Sequence, residues 1–181
     1  MPDVKVRLTD FYPNIAAFKR GKAGDPDVFT YEENSVNALN IPSELNGLRT
    51  QFLSLHHFRP DDAQQIFQNA VDANSPIAVF EAQKRTVGNF IKFCFSPINV
   101  LITTPFIRPF SIGRILFTYL LPIVSLFVWW DGLASVLRKY SDKEIHGLIA
   151  KLKNGDSFTW EVSFVKNGAV KIYCVLGVPK N

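Results

Sequence analysis

Two adjacent histidines, His56 and His57, are the residues of this chain best suited to acid–base chemistry, because imidazole exchanges protons near neutral pH. They follow residues 48–55, where the sequence LRTQFLSL predicts a strand with polar side chains toward its carboxyl end. Open α/β sheets bind ligands at that end of their strands. Thr50 and Ser54 are therefore predicted to line a cleft together with one of the two histidines.

The two imidazoles point to opposite faces if the strand continues as far as the pair. His56 would then share its face with Thr50 and Ser54, so we favour it for the cleft. In that position a histidine could act as a general base toward an acceptor hydroxyl or acid. It could also do no more than shape the pocket or bond a backbone carbonyl.

A carboxylate ends an earlier predicted strand. Residues 4–8 alternate with period two and run into Thr9-Asp10. A fixed acceptor at a strand end can bind the two hydroxyls of a ribose, so Asp10 and the residues before the histidine pair suggest a nucleotide-type cofactor site. The alternative is that Asp10 caps a short helix after Pro13.

The composition excludes several classes of function. The chain has 181 residues, of which 47% are apolar, enough for one domain spanning residues 1–181 with a sizeable core. Its net charge of +4 is spread along the chain, so we expect no nucleic acid partner.

Cys94 and Cys174 lie in separate apolar stretches and indicate reduced thiols in a cytoplasmic protein. No metal site is predicted, because adjacent histidines on a strand diverge and His146 has no supporting cluster.

Alternating helical and strand patterns predict an α/β fold. A helix opens at Pro60 and buries one apolar face, and IAVF at residues 77–80 reads as a strand covered on both faces and ended by Glu81. Near the carboxyl end, Ser141 and Glu144 form a capping box before a helix. Two strands over 157–165 and 170–178 then form a hairpin through an Asn-Gly link. We expect a Rossmann-like, mostly parallel sheet ending in an antiparallel hairpin.

Three segments resemble a family of uncharacterised bacterial enzymes among the class I S-adenosylmethionine-dependent methyltransferases. The matching residues are Asp10; Arg49-Thr50-Gln51-Phe52 with His56-His57-Phe58; and Trp130-Asp131-Gly132 with Ser135, Leu137, Arg138 and Tyr140. The resemblance covers nearly all of this chain and the C-terminal two-thirds of that fold. It implies a seven-stranded sheet in which the last strand is antiparallel to the rest.

The resemblance also implies a cofactor, S-adenosyl-L-methionine. Asp10 would hold its ribose, and Asn37 with Ala38 would read its adenine, although an Asn-containing turn explains Asn37 equally well. In such enzymes a first strand with a Gly-rich turn holds the methionine part. That unit does not precede residue 4 in this sequence, so we expect either a fragment of an enzyme or a chain that lacks the usual cofactor-binding turn.

Glu81, Trp130 and Asp131 are candidates for a pocket that binds the methyl acceptor. Glu81 could equally pair with Lys84 or Arg85 on the surface, and this structural explanation is preferred. The indoles of Trp129 and Trp130 could wall an apolar pocket or anchor the end of a helix.

An apolar insertion occupies residues 90–130. Its second stretch has 16 uncharged residues between Arg114 and Asp131, fewer than a bilayer-spanning helix needs. It could be a core element or lid over a lipophilic acceptor, or an interfacial hairpin in peripheral contact with a membrane. The sequence thus predicts a methyltransferase for a small, lipophilic molecule. The alternative is a noncatalytic, membrane-associated protein.

Overall fold

The computed structural model describes residues 4–82, 87–167 and 170–180. The strands in these ranges are β1 (Val6–Leu8), β2 (Phe29–Tyr31), β3 (Arg49–Phe52), β4 (Ile77–Glu81), β5 (Phe158–Asn167) and β6 (Val170–Pro179). The α-helices are α1 (Ile15–Gly24), α2 (Pro60–Asp72), α3 (Val87–Cys94), α4 (Ser96–Thr103), α5 (Ile112–Ile115), α6 (Ile123–Arg138) and α7 (Asp142–Ile149). The predicted α/β class is therefore confirmed.

The described strands form two sheets. β1 and β2 pair in parallel in a two-stranded sheet, and the second sheet has the order β3-β4-β6-β5. In the second sheet β3 and β4 are parallel, whereas β6 is antiparallel to both of its neighbours, β4 and β5. The antiparallel pairing of β5 with β6 is confirmed, and Gly168 of the predicted Asn-Gly link lies outside the described residues. The sequence predicted one sheet, whereas these strands divide into two. A three-residue strand such as β1 has too short a pattern to identify its neighbours.

The core lies between α2 and the larger sheet. The apolar face predicted for α2 is confirmed, since all five of its members are buried: Ala63, Ile66, Phe67, Ala70 and Val71. They contact residues of β4, β6 and α7, including Val79, Val175 and Ile145, in one hydrophobic cluster. Burying the larger of these side chains, Ile66, Phe67 and Val71, stabilises the fold by about 1.5–3 kcal/mol each.

The ends of these helices follow the sequence signals. Pro60 occupies the first turn of α2 with Asp61 and Asp62 beside it, and α7 has the predicted capping box between Ser141 and Glu144. α1 continues through Gly21 and ends at Gly24, although glycine is unfavourable inside a helix. Glycine in a helix costs only about 1 kcal/mol, which neighbouring contacts can offset.

The apolar insertion forms α3 to α6 together with a π-helical segment, Leu116–Leu120. α6 lies against α3 at Gly132, where an added Cβ would come within 2.4 Å of the Phe93 ring. In the described ranges, no single helix is long and apolar enough to cross a membrane. The helices Ile112–Leu120 and Ile123–Arg138 are long and apolar enough only when they are taken together, and their axes are bent by 75° relative to each other.

A glycine in β6 gives a test of the hairpin register. Gly177 is the register partner of Trp160, and an added Cβ would lie 2.5 Å from the indole. We expect Gly177→Ala to lower the free energy of unfolding by about 1–3 kcal/mol, because overpacking displaces the indole. In α7, Gly147 has open space around it, so Gly147→Ala should raise that free energy by about 0.5–1 kcal/mol. Urea unfolding measures both, and a Gly177→Ala variant as stable as the parent would contradict the register.

Candidate functional site

The histidine pair lies in a turn instead of a strand. β3 ends at Phe52, Leu53 takes the left-handed backbone conformation with φ of 54°, and Leu55–His57 form a single 3-10 turn. The expectation that the strand runs to the pair, with His56 on the face of Thr50, is therefore wrong. His56 is buried and His57 is exposed, with their ring centroids 4.2 Å apart.

Glu81 ends the neighbouring strand and holds the turn. Because β3 and β4 are parallel, with Phe52 opposite Phe80, both strands end at the same edge of the sheet. The Glu81 carboxylate lies 2.9 and 3.1 Å from His56 Nδ1, and it also accepts the backbone N–H of His56 at 3.4 Å. Glu81 is only 5% exposed, so the preferred prediction that it makes a surface pair is wrong. Lys84 and Arg85, its predicted partners, lie outside the described residues.

The geometry assigns the proton on the His56 ring. An ionised carboxylate can only accept hydrogen bonds, so beside an ionised Glu81 the Nδ1 atom of His56 carries the shared proton. In the neutral ring, Nε2 then keeps its lone pair and is the acceptor atom. Glu81 thus fixes both the orientation and the tautomer of His56.

Lys139 joins the same buried group from the far end of α6. Its Nζ lies 3.7 Å from Glu81 Oε2, and its side chain is 9% exposed. Burial lowers the pKa of Lys139, while the Glu81 carboxylate acts in the opposite direction. Sequence patterns do not reveal this residue, because 57 residues separate it from Glu81 and no local pattern links the two. Only its place just before Tyr140, in a segment already singled out, could have drawn attention to it.

Two tyrosines border the group. Tyr140 Oη donates to the backbone carbonyl of Phe58 at 2.7 Å, which ties the histidine turn to the chain after α6. Burial raises the pKa of Tyr140 to about 12, with smaller contributions from nearby acidic residues. Burial also raises the pKa of Tyr173, aided by a hydrogen bond to Asp142. These side chains line a small cavity beside Glu81 and Lys139, with room for roughly one water molecule.

Asp10 and Asn37 are adjacent on the loops that follow β1 and β2. The Val36 N–H donates to the Asp10 carbonyl at 2.9 Å, and Ser35 Oγ donates to the Phe11 carbonyl at 2.6 Å. The side chains of Asp10 and Asn37 are both exposed. The Asp10 carboxylate accepts the backbone N–H of Tyr12 at 2.8 Å, and the Asn37 side-chain carbonyl accepts the backbone N–H of Leu39 at 3.0 Å.

These contacts bear on the alternatives left open by the sequence. The helix after Pro13 is capped by Asn14, which accepts the Ala17 N–H at 3.0 Å, so the capping role considered for Asp10 is wrong. The turn considered for Asn37 is present. It leaves the carbonyl oxygen of Asn37 with a second lone pair for a ligand. Ala38 is half-buried and packs against the hydrophobic core.

The remaining predicted residues lie in β3, just after β3 and on α6. Thr50 is exposed on β3, and Ser54 is half-buried directly before the histidine turn, where its carbonyl accepts the His57 N–H. Trp130 and Asp131 are exposed within α6, which continues to Arg138, so the idea that the indole anchors a helix end is wrong. Neither residue lines the cavity beside Glu81.

Comparison with known proteins informs the fold. No family model matches the chain, and a search of curated proteins found no match. One solved structure is similar over 98% of this chain and 76% of its own, with a TM-score of 0.51 and 12% identity. Its description assigns it provisionally to the Zn-dependent alcohol dehydrogenases of Rhodobacter sphaeroides. This chain has a Rossmann-like fold. Rossmann-like folds bind nucleotide cofactors at the carboxyl ends of their strands, where the candidate residues lie.

Replacing the buried Glu81 carboxylate tests how much it contributes to the stability of the fold. Glu81→Gln leaves the Lys139 ammonium buried without a counter-charge, so we expect the free energy of unfolding to fall by about 3 kcal/mol. Glu32→Gln is the control, because Glu32 pairs with Arg7 at 3.2 Å on the surface and should contribute less than about 1 kcal/mol. Denaturant unfolding at neutral pH compares the two. Equal losses would contradict the description of Glu81 as a buried, paired charge.

Proposed function

We propose that this chain belongs to an S-adenosylmethionine-dependent methyltransferase that acts on a small, lipophilic acceptor. The observation that supports it best is the antiparallel strand β6, inserted between β4 and β5, which run parallel to each other. A terminal hairpin whose last strand opposes all the others is what the resemblance to class I methyltransferases implies. The Rossmann-like fold is compatible with this proposal and with other nucleotide-dependent activities.

The cofactor half of the site would be formed by the loops after β1 and β2. Asp10 is exposed at a strand end, and its carboxylate can accept hydrogen bonds from both ribose hydroxyls. Asn37, on the hydrogen-bonded neighbouring loop, offers its carbonyl to the amino group of adenine. The pair therefore fits a nucleoside. When bound, S-adenosylmethionine supplies an electrophilic methyl group on a sulfonium sulfur.

The acceptor half would lie at the ends of β3 and β4. His57 is the exposed member of the pair, so it is the histidine that can touch an acceptor and take the proton lost by its hydroxyl. His56 is buried on Glu81 and would position His57 through the shared turn. Thr50 and Ser54 precede this turn and would border the same cleft.

An apolar acceptor suits the surroundings of this turn. α6 contacts the Leu55–His57 turn and exposes the side chains of Phe127 and Trp130. Lys139, the residue after α6, lies close to the Glu81 carboxylate. A lipophilic molecule could thus approach the histidines along apolar side chains.

The proposal also assigns a place for a glycine-rich strand. Within the described residues, β1 lies at the edge of its sheet and β3 lies at the edge of the other. A parallel strand could add to either edge and bring a phosphate-type turn toward Asp10.

Zinc chemistry has no comparable support. The similar structure is described as zinc-dependent, but the residues described for this chain include no cluster of three His, Cys, Asp or Glu side chains that could hold a metal ion. We therefore do not extend that activity to this protein.

Calorimetric titration of the protein with S-adenosylmethionine tests the cofactor site. Asp10→Asn keeps the acceptor for the Tyr12 N–H but removes the charge offered to the ribose, so we expect the dissociation constant for S-adenosylmethionine to rise roughly tenfold or more. Asp25→Asn is the matched control, because Asp25 is also exposed and also accepts a local backbone N–H, from Val28 at 3.3 Å. It should leave the dissociation constant unchanged.

Two outcomes would contradict the proposal. The first is a protein that does not bind S-adenosylmethionine. The second is an Asp10→Asn variant that binds it as tightly as the Asp25→Asn control.

A further inference from the structure

The helices of the insertion expose an unusual amount of apolar surface. Phe106, Ile112, Leu120, Phe127 and Trp130 are each more than two-thirds exposed, and they come from four successive helical elements. Isolated apolar side chains are common on protein surfaces, but so many exposed ones within one segment are typical of a binding surface. We call residues 87–130, which form it, the apolar segment.

The charges within the apolar segment have one sign, and exposed Asp131 directly follows it. All 16 acidic residues of the chain lie outside residues 82–130, whereas that stretch contains five basic residues. Lys92 and Arg108, both described, are exposed among the apolar side chains. A surface of this composition is complementary to an apolar phase with a negatively charged boundary.

Several polar side chains of the segment have partners within it, whereas Ser96 Oγ, Arg114 Nε and Ser125 Oγ are buried without one. Thr103, Thr104 and Thr118 each donate their hydroxyl to the backbone carbonyl four residues earlier, at 2.7 Å. The Arg114 guanidinium donates to the carbonyls of Ile107 and Pro109, also at 2.7 Å. Backbone and side-chain polar groups that already have partners can be moved away from water at little cost.

We propose that the apolar segment binds the surface of an anionic lipid bilayer. Its helices lie in the interface with the apolar side chains in the acyl region, and Lys92 and Arg108 contact the headgroups. Trp130 and Tyr119, both exposed, are of the aromatic types that favour this boundary. The 75° bend between Ile112–Leu120 and Ile123–Arg138 suits a segment that enters the interface and turns back.

A lipid surface accounts for these features better than a second copy of the chain does. Two copies would bring the basic residues of one segment near those of the other, whereas the segment contains no carboxylate to pair with them and Asp131 only borders it. Anionic headgroups supply the missing charge. This inference is independent of the proposed function, because it requires no cofactor.

Co-sedimentation of the whole protein with vesicles tests it. We expect binding to mixed phosphatidylcholine–phosphatidylserine vesicles, weaker binding to phosphatidylcholine alone, and a decrease with added salt. Arg108→Glu should weaken binding to the anionic vesicles about tenfold or more, because each basic residue near the surface contributes roughly 1 kcal/mol. Trp130→Ser should weaken binding to both kinds of vesicle.

Two controls match these variants. Lys151→Glu makes the same charge change at an exposed position outside the segment, and Tyr12→Ser removes an aromatic ring that is 83% exposed elsewhere. Both should bind vesicles like the parent, and circular dichroism should show that all four variants are folded. The inference is overturned if the parent protein binds neither kind of vesicle and self-associates instead. It is also overturned if the controls lose as much vesicle binding as the segment variants do. Titration of the same samples with S-adenosylmethionine keeps this result separate from the cofactor site.

Discussion

A carboxylate buried at the end of β4 sets the main constraint on this structure. An isolated charge of that kind costs several kcal/mol to remove from water, so Glu81 is compatible with the fold only while partners surround it. Those partners come from two other elements: His56 from the turn after β3 and Lys139 from the residue after α6. The sheet edge, the histidine turn and the last helix of the apolar insertion are thereby held together at one point.

This arrangement relates the two surfaces to which we assign functions. The edge of the sheet that carries the histidine turn also carries Thr50 and Ser54, and α6 leads from it to exposed Trp130. If the protein methylates a lipophilic acceptor, the helices that expose apolar side chains are connected to the site through Lys139.

The sequence predicted the local elements well where the signal is local. The apolar face of α2, the capping box of α7 and the terminal hairpin depend on spacings within a few residues, and each is present. The turn that contains His56 was missed because it begins with Leu53 in a left-handed conformation, which leucine does not favour and no pattern announces. Lys139 was missed because a pair separated by so much chain is created only by tertiary packing. The role of Asp10 stays a prediction, since its position at a strand end fits a ribose but no comparison identifies the ligand.

The hydrogen bond between His56 and Glu81 can be observed directly by nitrogen-15 NMR of the imidazole rings. We expect the proton of His56 to lie on Nδ1 and to exchange slowly with water, because the ring is buried against both carboxylate oxygens. Exposed His146 provides the internal reference for a ring without this protection. A His56 ring that carries no proton on Nδ1, or that exchanges it as fast as His146 does, would contradict the account.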